Sequence, residues 1–309
     1  MLKKMGSAWR VAVSTIVVAA GFLCASAAES TESYSFVAKW GRQGRADGQF
    51  WDPCSIAVGP SGNIFVSGPD NRRIQKFDSS GNFLAKWRLI YHPRGIAVDS
   101  KENIFVSNLM KNRIDKFDSS GQLVMSWGKE GSGNGEFRVP GYIAIGPSGN
   151  IFVTDSSNHR VQKFNSSGKF LTKWGTRGSG DGQFSYPEGI AVDRKGNVFV
   201  ADRLNNRIQK FDSSGRFLAK WGKEDSADGE FRGVYGLALD SRGNVFVAEH
   251  GNNRVQKFDS SGKLLAKWGS RGLGDGQFNR PFDLAVDSEG NVLVLDSGWN
   301  RIQKFQPRR

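Results

Sequence analysis

Carboxylates recur at one spacing along this chain and are the first residues that could do chemistry. Each of four carboxylates stands five residues before an arginine: Asp155, Asp202, Glu249 and Asp296. Gly68 and Asn108 occupy the same place in two earlier copies of the motif. Oxygen ligands of this kind suit calcium, so a ring of them is compatible with a metal-dependent hydrolase. A carboxylate that recurs beside an unchanged arginine is also typical of a structural ion pair, and we favour that interpretation.

The three histidines give a weaker signal for chemistry. His92 precedes a proline, and His159 and His250 lie in two different segments that we predict to be loops. A zinc site needs several ligands around one point, together with second-shell partners that orient them. These histidines occupy non-equivalent positions of the motif, so we interpret them as solvated loop residues. Cys54 has no neighbouring histidine in sequence, and no Ser-His-Asp or Cys-His arrangement can be inferred.

The elements that position these residues come from a sixfold internal repeat. The period is 47 residues, shortened once to 40, and the copies start at Phe36, Phe83, Leu123, Phe170, Phe217 and Leu264. Each copy contains four short apolar or alternating runs separated by turn signals, which predicts a four-stranded antiparallel sheet with strands a to d. Six such sheets predict an all-β fold, a six-bladed β-propeller.

The two ends of the chain predict how the ring closes. The repeats begin with a lone d-type strand, Phe36–Trp40, and end after a c-type strand, Ile302–Phe305. The first strand therefore completes the last blade, which removes two open sheet edges. On this interpretation, residues 29–309 form one propeller domain.

Three segments of the fourth copy resemble the NHL repeat family. They are Tyr186–Asp193, Gly196–Asp202 and Asn205–Phe211, and equivalents recur in register along the chain after residue 35. The resemblance implies a six-bladed propeller but no single function, because the family includes RNA-binding domains, ubiquitin-ligase-associated domains, extracellular sensors and an amidating lyase. The lyase binds zinc through histidines directly after the proline that precedes strand a. None of the matching residues here is histidine: Cys54, Arg94, Gly141, Glu188, Tyr235 and Phe282.

Residues 1–28 predict a secretory signal peptide. Lys3, Lys4 and Arg10 precede an apolar run from Val11 to Leu23, and small residues at Ala27 and Ala28 suit cleavage. A lipoprotein signal through Cys24 and an uncleaved membrane anchor are the minority interpretations. Cleavage lowers the formal net charge from +13 to +10, because the segment holds three cations and no carboxylate. We therefore expect a secreted or periplasmic protein with no transmembrane helix in the mature chain.

The mature chain keeps Cys54 as its single cysteine. It is therefore either free or paired between two chains. The basic excess is spread over lysines that recur in strands c and d, which predicts a ring of cations on the outer rim. Such a rim suits weak contact with anionic envelope polymers. The export signal argues against nucleic acid as the partner.

Residues that break the repeat are the candidates for function. Tyr and Trp combine an apolar ring with a polar group, which suits sugar or peptide binding. The residues we select lie on the face formed by the d–a and b–c loops: Trp51, Arg94, Tyr142, Glu188, Tyr235, Phe282 and Trp299. We predict a monomeric, non-enzymatic module that needs no cofactor and binds a protein, peptide or glycan. The alternative is a calcium- or zinc-dependent hydrolase or lyase at the channel mouth.

Overall fold

The sixfold repeat folds into a ring of six four-stranded antiparallel sheets. The computed structural model describes residues 32–308, so the predicted signal peptide and its cleavage site lie outside the described residues. Every blade except the last has its strands in sequence order, with strand a innermost and strand d outermost. The prediction of an all-β six-bladed propeller is confirmed. Within the described residues, no helix has the length and apolarity needed to cross a membrane.

The strands are short, as the turn signals of the sequence predict. The a strands are β2 (Ser55–Val58), β6 (Pro93–Val98), β10 (Pro140–Ile145), β14 (Pro187–Val192), β18 (Val234–Leu239) and β22 (Pro281–Val286). The b strands are β3 (Ile64–Gly68), β7 (Ile104–Asn108), β11 (Ile151–Asp155), β15 (Val198–Asp202), β19 (Val245–Glu249) and β23 (Val292–Asp296). The c strands are β4 (Arg73–Phe77), β8 (Arg113–Phe117), β12 (Arg160–Phe164), β16 (Arg207–Phe211), β20 (Arg254–Phe258) and β24 (Arg301–Pro307). The d strands are β5 (Phe83–Arg88), β9 (Leu123–Trp127), β13 (Phe170–Trp174), β17 (Phe217–Trp221), β21 (Leu264–Trp268) and β1 (Tyr34–Trp40). Short 3₁₀ helices follow three b strands: Ser156–Asn158, Arg203–Asn205 and Ser297–Trp299.

The N-terminal strand closes the ring, as predicted. β1 pairs antiparallel with β24, from Tyr34 opposite Pro307 to Trp40 opposite Ile302, and the last sheet has the order β1-β24-β23-β22. The Tyr34 ring also stacks on Trp268 of the preceding blade at 4.5 Å between ring centroids. The first strand therefore contributes both ladder hydrogen bonds and core contacts to the last blade.

A phenylalanine from the d–a loop plugs the core of five of the six blades. The plug residues are all buried: Phe50, Phe137, Phe184, Phe231 and Phe278. Each packs on the phenylalanine that ends or nearly ends strand c of the same blade, with ring centroids 5.5 to 5.8 Å apart. Blade 2, built from β6 to β9, has no plug, because the shortened repeat leaves only four residues in its d–a loop, between Arg88 and Pro93.

Strand a begins earlier than the apolar pattern predicts. We expect from the sequence that it starts at the isoleucine or leucine, as at Ile190, yet β14 begins at Pro187. The first residue of the strand pairs with the last residue of strand b, and a β-bulge separates it from the regular ladder, as between Pro187 and Ile190. A proline cannot donate a hydrogen bond to the ladder, but it is tolerated at the first position of a strand, where no N–H donor is needed. Arg94, Tyr142, Glu188, Tyr235 and Phe282 therefore lie within strand a, around the channel, and not in the preceding loops.

The bulged residues come very close together where the six a strands converge. A Cβ atom added to Gly189 would lie 2.2 Å from the backbone oxygen of Tyr235 in the next blade. Only glycine fits such an approach of two backbones. The narrow inner ring brings side chains from different blades to one channel mouth.

Candidate functional site

The recurring carboxylate at the end of strand b holds the loop face together. This face, formed by the d–a and b–c loops, is called the loop face below, and the opposite one the turn face. In blade 4 the Asp202 carboxylate accepts a hydrogen bond from Arg207 Nε at 2.7 Å and another from Asn205 at 2.8 Å. The Arg207 guanidinium then donates to the backbone oxygens of Ser179, Gly180 and Gln183 at 2.6 to 2.8 Å. The structural interpretation of this repeated pair is therefore confirmed.

The same arrangement recurs with Asp155, Glu249 and Asp296, so these carboxylates do not fit a shared calcium site. Each is fully buried and each meets the arginine of its own blade at 2.6 to 2.9 Å. The six positions that match the place of the lyase's zinc-binding histidines in the repeat carry no histidine. Among residues 32–308, no group of three or more His, Cys, Asp or Glu side chains is arranged to hold a metal ion.

Two residues outside the repeat pattern substitute for asparagines of the scaffold. His159 Nδ1 accepts a hydrogen bond from the Tyr186 backbone N–H at 3.2 Å, as the Asn206 side chain does for Gly233 at 2.8 Å. Trp299 Nε1 donates to the Gly272 backbone oxygen at 2.8 Å, the role that Asn205 has toward Gly178. His159 and Trp299 therefore support loops, although 37% of Trp299 remains exposed. His159 is only 9% exposed, so its interpretation as a solvated loop residue is wrong.

Four of the seven predicted site residues meet at the channel mouth. Arg94 of blade 2 reaches across to Glu188 of blade 4, with Nη2 and Oε1 2.6 Å apart. Beside them, the Tyr235 and Phe282 rings lie 4.4 Å apart between centroids. Arg203, which the sequence analysis did not select, joins the two pairs: its guanidinium lies 4.5 Å above Tyr235 and 3.9 Å from Glu188.

The other three predicted residues lie elsewhere on the loop face or below it. Tyr142 is only 5% exposed, and its hydroxyl donates to the Cys54 backbone oxygen across the channel at 3.0 Å. Trp51 lies at the junction of blades 6 and 1, where Arg45 covers its ring at 5.3 Å. Trp299 lies in the b–c loop of blade 6. The structure therefore does not bring Trp51 and Trp299 into the central group. Tyr142 lies directly below that group: Phe282 packs against the core cluster that includes Tyr142, and the charges of Glu188 and Arg94 act on the Tyr142 hydroxyl.

The Glu188 carboxyl is buried near the centre of the ring. Its side chain is 1% exposed, and Oε2 has no hydrogen-bond partner among the described residues. Burial raises the pKa of Glu188, while Arg94 and Arg203 oppose that rise. Both arginine contacts of this carboxyl are made through its other oxygen, Oε1.

An arginine-lined cleft of about 580 Å³ opens next to the central group, between blades 5 and 6. Its cations are Arg232, Arg271 and Arg280, and His250 forms part of its wall. The ion pairs formed within residues 32–308 include none of these three arginines. Burial, followed by the charges of Arg280 and Arg203, lowers the pKa of His250. This cleft therefore brings together three arginines that have no ion-pair partner within residues 32–308.

Arg94 is the only cation among the predicted site residues, and Arg203, Arg232, Arg271 and Arg280 were missed. Arg203 and His250 occupy one position, the first residue after strand b, where the other copies have Pro69, Leu109, Ser156 or Ser297. Aligning that single column would have identified both. The lysines of the rim behave differently from the expected free charges. Four of the five lysines of strand d pair with loop aspartates, as Lys220 does with Asp181 at 2.5 Å, and Lys173 has no such partner within residues 32–308.

Asp283 is a second buried carboxyl in the channel, and it links the last blade to the first. Its Oδ2 accepts hydrogen bonds from Ser55 Oγ at 2.8 Å and from the Ile56 backbone N–H at 3.0 Å. Burial raises the pKa of Asp283 to about 7, against these hydrogen bonds, which lower it. Asp283 is therefore protonated in the folded protein over a pH range in which the unfolded chain has already lost that proton.

We expect the wild type to lose stability relative to Asp283→Asn as the pH rises from about 4 to about 7. Over this range the folded state binds the additional proton, so the free energy of unfolding falls with pH. A shift from 3.8 to about 7 corresponds to a relative loss of up to about 4 kcal/mol. Above pH 7 the free energies of unfolding of the wild type and of Asp283→Asn change with pH in parallel. Urea unfolding at pH 4, 5.5, 7 and 8 measures this, and parallel profiles over the whole range would contradict it.

Comparison with known proteins agrees with the repeat and the ring. A family model described as 6-bladed beta-propeller matches residues 147–228. A model of the NHL repeat matches residues 231–258 and again 278–305, which are blades 5 and 6. The chain is an NHL-repeat propeller. Among curated protein sequences, none matches this NHL-repeat propeller.

Solved structures resemble the NHL-repeat propeller at low sequence identity. A protein of unknown function from Bacteroides thetaiotaomicron is 16% identical with a TM-score of 0.69, over 90% of this chain and 76% of that one. Virginiamycin B lyase from Staphylococcus aureus is 13% identical with a TM-score of 0.62, over 89% and 99%. A gluconolactonase from Xanthomonas campestris is 14% identical with a TM-score of 0.64, over 85% and 88%. At these identities the likeness shows the fold alone.

Proposed function

We propose that this NHL-repeat propeller is an exported, non-enzymatic binding module whose loop face binds a ligand that carries oxyanion groups. One observation supports this proposal above the others: three arginines that form no ion pair with any of residues 32–308 line one cleft beside an aromatic group. Carboxylate, sulfate and phosphate all form charge-assisted, often bidentate hydrogen bonds with guanidinium groups. The oxyanion is the shared chemistry of acidic glycans and acidic peptides, which are the two sources we consider.

The residues around the cleft are arranged for such a ligand. Tyr235 and Phe282 lie against His250, whose ring centroid is 5.1 Å from that of Tyr235. These rings extend the cleft toward the channel mouth and supply apolar surface next to positive charge. Arg203 and Arg94 lie at the far side of the rings, where Glu188 neutralises part of their charge. A ligand that spans both places would contact rings and cations together.

The test uses three oxyanion probes: an oligogalacturonate, a heparin-derived hexasaccharide and an octaglutamate peptide. We expect saturable binding of at least one probe, weakened by salt because exposed charges are screened. The variant Arg232→Ala/Arg271→Ala/Arg280→Ala should lose tenfold or more in affinity. The relative affinities of the glycans and the peptide distinguish the two sources.

A matched control separates a site from general charge attraction. The variant Lys101→Ala/Arg194→Ala/Lys195→Ala removes the same three positive charges from exposed positions at the turn face. We expect it to change affinity less than twofold. Equal losses in both variants would show that the probes bind through net charge alone, and the proposal would be wrong. Elemental analysis of the same protein tests the alternative, since a stoichiometric bound ion would favour a metal-dependent hydrolase or lyase.

A further inference from the structure

The shortened repeat leaves a cleft in blade 2 where the other blades bury their plug. The Phe117 ring, equivalent to Phe77 or Phe164, is 7% exposed, whereas those two are fully buried. The phenylalanine that packs on this ring in five blades is missing here. The cleft has a volume of about 320 Å³ and includes Leu89, Tyr91 and Met110 in its lining.

The surface around this cleft is unusually apolar for exposed residues. Ile90 is 89% exposed, Met110 57% and Leu123 49%. All three line the cleft or its edge, so they form one patch and not scattered single residues. Contiguous exposed apolar surface of this kind marks an interaction site.

The residues that hold the loop in other blades have changed together in blade 2. In blade 4, Gln209 contacts the loop through Gly182 and Gln183, and Lys220 pairs with the loop residue Asp181. The equivalent residues of blade 2 are Asp115 and Ser126, and the Asp115 carboxylate bonds with Arg113, Ser126 and Asn108. The Asp115 carboxylate is therefore paired with residues of its own blade. Tyr91 of the short loop packs in the same core cluster as Phe117, yet the Phe117 ring stays partly exposed to the cleft.

The rim of the cleft is positively charged. Arg88 and Lys111 are exposed lining residues, and the ion pairs within residues 32–308 include neither of them. An apolar slot with this rim is complementary to an apolar side chain that has carboxylates beside it. The plug segment of blade 5 has that chemistry, since Asp228 and Glu230 precede the buried Phe231.

We propose that the blade 2 cleft docks a peptide segment of a partner protein that presents a phenylalanine ring together with carboxylates. The ring takes the place against Phe117 that Phe231 takes against Phe258. The carboxylates meet Arg88 and Lys111. This site is separate from the arginine-lined cleft of blades 5 and 6 and does not depend on it.

The probe is an acetylated, amidated hexapeptide that copies residues 226–231, Ser-Ala-Asp-Gly-Glu-Phe. Met110 and Met125 are the two methionines of the described chain, and ¹³C-methyl labelling of methionine makes each a reporter. We expect the Met110 signal to shift in a saturable way at millimolar peptide, while the Met125 signal stays in place. Met110→Leu and Met125→Leu assign the signals.

Two peptides and two variants decide the outcome. The hexapeptide with alanine in place of phenylalanine should fail to shift Met110. The variant Arg88→Glu/Lys111→Glu should weaken binding fivefold or more, and it changes only exposed side chains. Replacing residues 88–92 by residues 175–186 restores a plug in cis and should abolish binding.

Several results would overturn the proposal. They are an unmoved Met110 signal, an equal shift with the alanine peptide, or undiminished binding to the charge-reversed variant. A Met110 signal that already depends on protein concentration without peptide would instead indicate that the patch is covered by a second copy of this chain.

Discussion

Deletion of Tyr34–Trp40 lowers the free energy of unfolding by about 5 kcal/mol or more and the melting temperature by about 10–20 °C. The strand supplies the outer ladder of the last blade and buries Tyr34, Phe36 and Trp40 against core residues of three blades. Its loss leaves β24 as an open edge and removes the hydrogen bonds that hold the two chain ends together. Thermal and urea unfolding of the full chain and of the deletion variant measure the effect.

A rescue variant tests whether the lost stability depends on the position of this strand in the ring and not merely on the length of the chain. In it, the turn sequence of residues 259–263 follows Phe305 and is itself followed by the sequence of residues 36–40. This places the missing strand where blades 1 to 5 carry theirs, after a c–d turn of their own type. We expect it to recover most of the lost stability. A deletion variant with the same melting temperature as the wild type would contradict ring closure by this strand.

Arg207→Ala destabilises the propeller by about 3–5 kcal/mol, the range for removing one partner of a buried ion pair. The substitution leaves the Asp202 carboxylate without its cation and frees three loop carbonyls that Arg207 binds. Burial already raises the pKa of Asp202, and Arg207 opposes that rise together with Asn205 and the Ser185 backbone N–H. Urea unfolding at pH 7 gives the change in the free energy of unfolding.

Arg113→Ala is the control from the same position of the repeat. Arg113 pairs with Asp115 at 2.8 Å, but its blade has no long d–a loop for it to hold, and 34% of its side chain is exposed. We expect a loss of about 1–2 kcal/mol, because the loop carbonyls are not part of its environment. The difference between the two variants measures the contribution of the loop contacts. Equal losses would mean that the arginine acts on its carboxylate alone.

The architecture could be predicted from the sequence because the repeat encodes it six times. Period, strand number and ring closure follow from recurring turns such as Asp212–Gly215 and from the unpaired strand at each end. The start of strand a could not be predicted, because the bulge between Pro187 and Ile190 interrupts the alternation of apolar residues. Such a bulge depends on how closely neighbouring strands approach, and no local pattern reports that distance.

The candidate site could be predicted only in part. Arg94, Glu188, Tyr235 and Phe282 depart from the repeat and meet in space because they share one position of the innermost strand. Trp299 departs from the repeat as well, yet its indole performs the hydrogen bonding of an asparagine. A substitution that preserves a scaffold contact cannot be told from a functional one until the contact is known. The free arginines of the cleft were hidden among the many cations of a basic chain.

Hydrogen exchange with and without the tightest-binding oxyanion probe tests most directly the claim that function lies on the loop face. We predict protection of backbone amides at residues 203–206, 232–236, 250–253 and 280–283, which surround the rings and the arginine-lined cleft. The a–b and c–d turns of the opposite face should exchange at unchanged rates. Protection confined to the turn face, or spread evenly over all six blades, would contradict this assignment.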